Sequence, residues 1–545
     1  MTDSQHPGPR AAVDQRRPPV ERHGAAPARP AAPRQPRAGG WRRLARHPAV
    51  ELGLVAVLLV LATVSRRLGY LLSHSFWLDE GWVADSVRAP FHQLRMLTSS
   101  TPIGWTSLLR LVPEIGPPER LRLLPIAFAV AAVVPAYLLG RRLGRVQAVA
   151  AGVAAAIAPS AIANDDLKQY TGDVFVTLLL LWLGARVEAD WTGPERRGPW
   201  RLLVLCVACA AAVLVSHAAV FASAAVFGAL ALRCLAERRW GRLRQVLGLG
   251  LVAGAVEAAV FLVFLSVGDN AAMQRYWGYA FVPVSEGPGR AVSFVATRLA
   301  ETLGRAGFGP WALAVVLALG GLAALWRGRL PATALAVPVL LAELVVAGAA
   351  HRYPFLDERT SLFVTVLFTV CAGLGVGALV AWSFRRPATV PVGLAAAGLA
   401  AALLVPASRE AVRRPMPGST LRQQVAFVLE NRRPGDVVLV GRNASFAFAY
   451  YWPDRPTFTP TQSDTAVLFQ VDYPDRPELV VTHQRGQPGA EAAVREATAR
   501  TRSGRVWLVL AEAGDGGPVW GKAAPTARRA NSGRLPLLLL TGARG

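Results

Sequence analysis

Three polar stretches interrupt an otherwise apolar chain, and each carries residue types suited to group transfer. "FWLDEGW" (76–82) contributes Asp79 and Glu80, "ANDDLKQYTGD" (163–173) contributes Asp165, Asp166, Lys168 and Tyr170, and "HRYPFLDERTS" (351–361) contributes His351, Arg352, Tyr353 and Arg359. A positioned carboxylate can take the proton of an attacking hydroxyl. Lysine and arginine neutralise phosphate oxygens, arginine with a fork that meets two oxygens at once. Of the 59 basic residues only Lys168 and Lys522 are lysines, so Lys168 departs from the chain's default cation.

Each stretch also has a plainer reading. Asp79 and Glu80 suit an acidic helix start, with Phe76, Trp77 and Trp82 as interfacial aromatics. Asp166 with Gln169 fits a capping box, and Asp165 and Asp166 favour the positive end of a helix. Lys168 does not fit there without an anion nearby; Asp165 at i−3 and a lipid phosphate at the membrane surface are both candidates. Asp166, Tyr170 and Asp173 share one face by i, i+4, i+7 spacing if the helix includes them. In the third stretch, interfacial anchoring with Arg352–Asp357 or Arg359–Glu358 pairing stands beside phosphate binding.

The elements that must position these residues are membrane helices. The chain has 545 residues, 53% of them hydrophobic and 17% charged, less charged than a soluble protein of this size. Apolar runs near the roughly 20 residues needed to cross a bilayer recur along it. They predict eleven spans, about 49–72, 121–140, 146–163, 170–186, 202–216, 218–233, 246–267, 311–326, 330–349, 361–382 and 388–405. Arg66 and Arg67 fall late in the first, so they snorkel or mark an early exit. Arginine-rich loops such as "RRLGR" (141–145), "RCLAERRWGRLR" (233–244) and "SFRRP" (383–387) alternate with the others, which predicts a cytoplasmic N-terminus and an external C-terminus. All three polar stretches then lie on the external side, where ionisable groups at a membrane boundary invite a functional reading. The first external loop, 73–120, contains "STPIGWTSLLRL" (100–111), amphipathic enough to lie on the membrane and floor a site.

The net charge of +24 does not point to nucleic acid, because the arginines gather in short loops and in the N-terminal tail. Residues 1–48, rich in Pro, Ala and Arg, predict a disordered cytoplasmic tail and not a signal peptide. Cys206, Cys209, Cys234 and Cys371 lie in or beside apolar segments and suggest packing. Residues 49–406 form the membrane domain. Residues 407–545 predict a small external α/β domain with a flexible end: strands at "PGDVVLVG" (434–441), "PELVVTH" (477–483) and "GRVWLVLAE" (504–512), and helices at 444–452 and 490–500. Heavy Arg and Ala usage suggests a GC-rich bacterial genome and hence a plasma membrane.

An acidic pair after the first span, an amphipathic first external loop, "KQY" opening a span and "RYPFLDERTSLF" late in the membrane domain resemble the GT-C superfamily of polytopic glycosyltransferases, over about 45–405. The nearest look is to its family-39-like branch of protein O-mannosyltransferases and aminoarabinose lipid A transferases. The C-terminal domain resembles the periplasmic domains that close many such chains. The resemblance implies a polyprenyl-phosphate sugar as donor, a lipid, glycan or protein hydroxyl as acceptor, and inversion at the anomeric carbon. It implies Asp79 as base or organiser with Glu80 beside it, Lys168 and Tyr170 facing the lipid phosphate, Asp165 or Asp166 as a second acidic site, and Arg352 and Arg359 as further phosphate partners. His351 and Tyr353 are further candidates. Asp79, Glu80 and the 165–166 pair could also hold a divalent ion, although carboxylates alone do not specify one. A transporter or lipid flippase would more often show paired half-sequences and broken mid-membrane helices, and no internal repeat is visible. A non-catalytic scaffold displaying the C-terminal domain would leave Asp79 and Lys168 replaceable.

Overall fold

The computed structural model describes residues 48–98, 101–113, 116–164, 166–192, 199–266, 271–413, 419–461, 469–511, 517–530 and 536–542. Residues 1–47 of the predicted tail, Asp165 and residues 543–545 lie outside them. Leu52–Gly545 forms one compact unit.

Each of the eleven apolar segments forms helix: Pro48–Val64, Pro118–Arg141, Arg145–Ala163, Tyr170–Thr192, Trp200–Ala212, Ala219–Ala236, Trp240–Phe264, Trp311–Arg327, Pro331–Ala349, Leu362–Ser383 and Val390–Arg413. Among the described residues, seven helices are long and apolar enough to cross a bilayer, and Pro48–Val64, Trp200–Ala212 and Trp311–Arg327 are shorter apolar helices. Tyr170–Thr192 spans 23 residues but carries Asp173, Arg186, Glu188 and Asp190. The first helix stops at Val64, so Arg66 and Arg67 lie past its end; Arg66 is buried and its Nη1 donates to the Ala62 carbonyl at 2.5 Å.

Leu362–Ser383 is the hub, buried along most of its length. Small residues let its neighbours approach to backbone contact, the packing that association between apolar helices in lipid relies on. A Cβ on Gly321 would lie 2.0 Å from the Cys371 carbonyl, and one on Gly375 would lie 2.1 Å from that of Leu317. This locks Trp311–Arg327 against the hub. Far from the polar stretches, buried Glu188 fastens three helices. It accepts from Arg233 Nη1 (2.6 Å) and from the Ala332 and Thr333 amides (2.6 and 2.9 Å) that open Pro331–Ala349. A carboxylate at a helix N-terminus meets otherwise unpaired amides and the positive end of the dipole.

The C-terminal sheet has the order β4–β1–β5–β7–β6, with β1 (Val437–Val440) parallel to β4 (Leu479–Val481) and β5 (Arg505–Val509). Here β7 (Leu538–Thr541) and β6 (Arg528–Arg529) extend it antiparallel, and a separate hairpin pairs β2 (Thr457–Pro460) with β3 (Phe469–Asp472). Helices Ser445–Tyr451 and Gly486–Arg500 fall where the sequence predicts helix; the hairpin and the antiparallel extension were not predicted. The four strand residues of β1 are all buried, as its unbroken apolar run requires.

Candidate active site

Residues of the three polar stretches meet at one place. Between the first and second stretches the chain makes two apolar helices, between the second and third six, and before the C-terminal region two more.

Helix Leu78–Arg88 begins where the first stretch turns, with Asp79 and Glu80 in its first turn. The two carboxylates diverge. Asp79 Oδ2 lies 2.9 Å from Arg359 Nη1 and 3.5 Å from Lys168 Nζ. Glu80 turns inward, where Arg122 Nε and Nη2 hold its two oxygens at 2.7 and 2.5 Å. Glu80 Oε1 also accepts the Leu167 amide at 3.3 Å. The Leu167 carbonyl takes the indole N–H of buried Trp105 at 2.9 Å. Leu167 is thus held from both ends of its peptide units, which fixes the residue before Lys168. Helix Ile103–Leu109, within the predicted amphipathic segment, buries Trp105, Thr106 and Leu109 and leaves Ser107 exposed.

Asp166 accepts the Lys168 amide on Oδ1 (3.1 Å) and Arg359 Nη2 on Oδ2 (2.7 Å). Arg359 therefore bridges the two acidic positions, one terminal nitrogen to each. Its guanidinium lies over the rings of Trp77 (4.7 Å) and Tyr170 (5.3 Å), and Lys168 Nζ sits 5.5 Å from the Trp82 ring. Asp357 accepts the Arg359 and Thr360 amides at 3.2 and 3.3 Å, and the Tyr353 hydroxyl donates to the Thr360 carbonyl at 2.6 Å. These bonds fix the loop that carries Arg359.

Burial pushes the Asp79 carboxyl up, but Lys168 and Arg359 outweigh it and hold the group below the ordinary carboxylate range. Asp166 goes the other way: deeper burial outweighs Arg359 and its carboxyl is raised. Burial lowers the Arg359 pKa, yet Tyr170, Asp166 and Asp79 outweigh it and keep the side chain cationic.

Other predicted residues have different surroundings. His351 stacks on Phe281 (4.7 Å between centroids) and adopts φ +55°. Arg352 is exposed. The predicted shared face of Asp166, Tyr170 and Asp173 does not form, because helix begins only at Tyr170 and Asp173 is bound by Ser216 Oγ at 2.6 Å. Glu358 pairs with Arg305 (3.2 Å) and not with Arg359. Asp165 lies outside the described residues. Among those described, no three His, Cys, Asp or Glu side chains group as a metal-ligand set; a guanidinium bridges the candidate carboxylates. Sequence reasoning missed Arg122, which stands at the start of the apolar helix that follows the first polar stretch.

No family model and no curated protein sequence matches the chain. Solved structures do. ArnT from Cupriavidus metallidurans in the apo state is similar over 91% of this chain and 99% of its own, at 16% identity and TM-score 0.52. The archaeal oligosaccharyltransferase AglB from Archaeoglobus fulgidus, in complex with an inhibitory peptide and a dolichol-phosphate, is similar over 84% of this chain and 69% of its own, at 12% identity and TM-score 0.52. Both are GT-C superfamily members. The chain is a multi-pass membrane protein with the GT-C fold and a small C-terminal sheet region.

Proposed function

We propose that the protein is a glycosyltransferase that moves a sugar from a polyprenyl-phosphate donor to an acceptor hydroxyl on the extracytoplasmic face of the plasma membrane. The chain crosses the membrane eleven times, and residues 407–545 lie on the same side as the reaction. The observation that carries this reading is Asp79 held between Lys168 (3.5 Å) and Arg359 (2.9 Å) at the ends of apolar helices. A base and two cations at that depth suit a donor whose tail stays in the bilayer. The fold shared with ArnT and with an oligosaccharyltransferase in complex with a dolichol-phosphate supports it.

The acceptor oxygen attacks the anomeric carbon and forms the new glycosidic bond. The bond from that carbon to the phosphate oxygen breaks, and the electron pair leaves with the polyprenyl phosphate. Lys168 and Arg359 stabilise the charge that develops there, as preorganised cations do in a water-poor site. Asp79 accepts the hydroxyl proton. Before the donor arrives, the same cations hold Asp79 and weaken it as a base. A phosphate that draws them away frees the carboxylate, so the donor binds first. Asp166 anchors Arg359, Glu80 positions its helix, and Tyr170 presents its ring to Arg359.

The test is sugar transfer by the purified full chain in lipid, with labelled polyprenyl-phosphate sugars and cell-envelope acceptors. Asp79→Asn and Lys168→Ala should each abolish transfer in folded protein. Transfer that survives both discards this site, and a chain that binds polyprenyl phosphate and translocates it without transfer is a flippase instead.

A further inference from the structure

We propose that Arg305 is a further cation of the donor subsite, taking the lipid-borne phosphate on the edge formed by its Nε and Nη2. This rests on the donor reading above and extends it to a residue outside the three polar stretches.

Arg305 follows helix Pro288–Gly304 and precedes Trp311–Arg327. Its Nη1 lies 3.2 Å from Glu358 Oε2. Its Nε and Nη2 are buried, and neither has a hydrogen-bond partner among the described residues. Those two nitrogens form one side of the guanidinium, the side that meets two oxygens of a phosphate at once. A guanidinium edge buried without acceptors costs free energy unless a ligand supplies them. Glu358 does not compete for that edge, and its side chain is 61% exposed, where an ion pair is weak.

The location fits a donor arriving along the membrane. Glu358 is the residue before Arg359, so the Arg305 pair adjoins the loop that holds Asp79 and Asp166. The chain then turns at Gly307 (φ +86°), where a Cβ would lie 2.8 Å from both Pro159 and Leu404. Pro159 opens the short helix Pro159–Ala163, which precedes Asp166 and Lys168 in the chain. Ser160 beside it has a buried hydroxyl that also lacks a partner among the described residues. Trp311, six residues beyond Arg305, is apolar and 54% exposed, as a side chain facing lipid tails would be. A phosphate headgroup carried in the bilayer plane meets Arg305 with its tail against apolar surface.

The experiment measures binding to full-length protein in lipid nanodiscs with three probes: polyprenyl phosphate, polyprenol without phosphate, and inorganic phosphate. Variants are Arg305→Ala and Arg305→Lys, with melting temperatures checked. Arg305→Ala should weaken polyprenyl-phosphate binding by about tenfold to a hundredfold, the worth of hydrogen bonds to a charged group. In transfer assays it should raise donor KM more than it lowers kcat. Arg305→Lys keeps the charge without the fork and should recover only part of the loss; it also carries the test should the alanine variant fail to fold. Wild-type affinity in Arg305→Lys and Arg305→Ala overturns the proposal while leaving the donor reading intact. A wild type that binds polyprenol as tightly as polyprenyl phosphate, or neither, overturns both. Arg305-dependent binding of inorganic phosphate alone keeps an anion site but overturns its lipid-borne ligand.

Discussion

Gly81 and Ala447 meet so closely that a Cβ on the glycine would lie 2.4 Å from the alanine's backbone nitrogen. Gly81 lies two residues from Asp79, and Ala447 lies in helix Ser445–Tyr451 of the C-terminal region. Trp82 continues the contact, stacked near Phe446 and edge-on to Phe469. The helix carrying Asp79 is therefore backed by the sheet domain. Gly81→Val should destabilise the protein by about 1–3 kcal/mol or more through overpacking against backbone that cannot swing away. Transfer should fall further than the folded fraction does. Melting and activity measured on one preparation check this, and full activity in the valine variant would show that the contact does not set Asp79.

The Glu80–Arg122 pair predicts a different pattern. Arg122→Ala leaves a buried carboxylate without its partner, at a cost of about 3–5 kcal/mol. Glu80→Gln should lower the melting temperature yet leave the acid limb of the pH profile where it was. A limb that moves with Glu80→Gln would make Glu80 part of the proton-transfer machinery.

The pH dependence follows from Asp79. Its folded carboxyl lies below the ordinary value of about 4, so the anion persists as pH falls until the lowered value is reached. The acid limb of kcat/KM for donor, which reports free enzyme, should lie below pH ~4. The limb of kcat, which reports the complex, should lie higher, because the donor phosphate draws Lys168 and Arg359 away. Coincident limbs would mean that the cations never leave Asp79.

Arg359→Lys tests the bridge. One ammonium cannot donate to Asp79 at 2.9 Å and Asp166 at 2.7 Å from opposite ends of a planar fork. The substitution keeps the charge, yet transfer should drop by about tenfold or more, in line with the loss of a charged hydrogen bond. Donor titrations of kcat and KM would reveal an unaffected enzyme.

Glu188 provides the contrast. Glu188→Gln weakens a buried cap on Pro331–Ala349 and should lower stability by about 1–3 kcal/mol. Donor KM should stay unchanged, read in the same transfer assay.

The helices were legible because lipid demands long apolar runs that satisfy their own backbone. The three polar stretches were legible because charge is expensive beside such runs. Partner choice was not. Nothing in the spacing of "DE" says that Asp79 faces Arg359 while Glu80 turns to Arg122, since both sit in one helical turn. The face assigned to Asp166 and Asp173 assumed a helix starting before Tyr170, but the Lys168 amide turns back to Asp166 instead. Arg305 stands alone in "GRAGFGP" with no pattern to mark it. In the C-terminal region, the parallel strands announced themselves as buried apolar runs, whereas β6 is two exposed residues and β2 is exposed at both ends.

The hydrogen bonds that fasten residues 75–119 to residues 422–451 bear on how the protein is made. The Phe76 amide donates to the Tyr451 hydroxyl (2.8 Å), Ser75 Oγ to Gln423 Oε1 (2.8 Å), and Arg422 Nη1 to Glu119 Oε2 (2.7 Å). The first pair is 375 residues apart. A ribosome adding about 5–20 residues per second needs on the order of twenty seconds to over a minute to cover that distance. Throughout that interval the nascent chain already has Asp79 but not the wall behind it. The helix that carries Asp79 thus gains its backing only once residues 422–451 have been made, and a chain terminated before them lacks it.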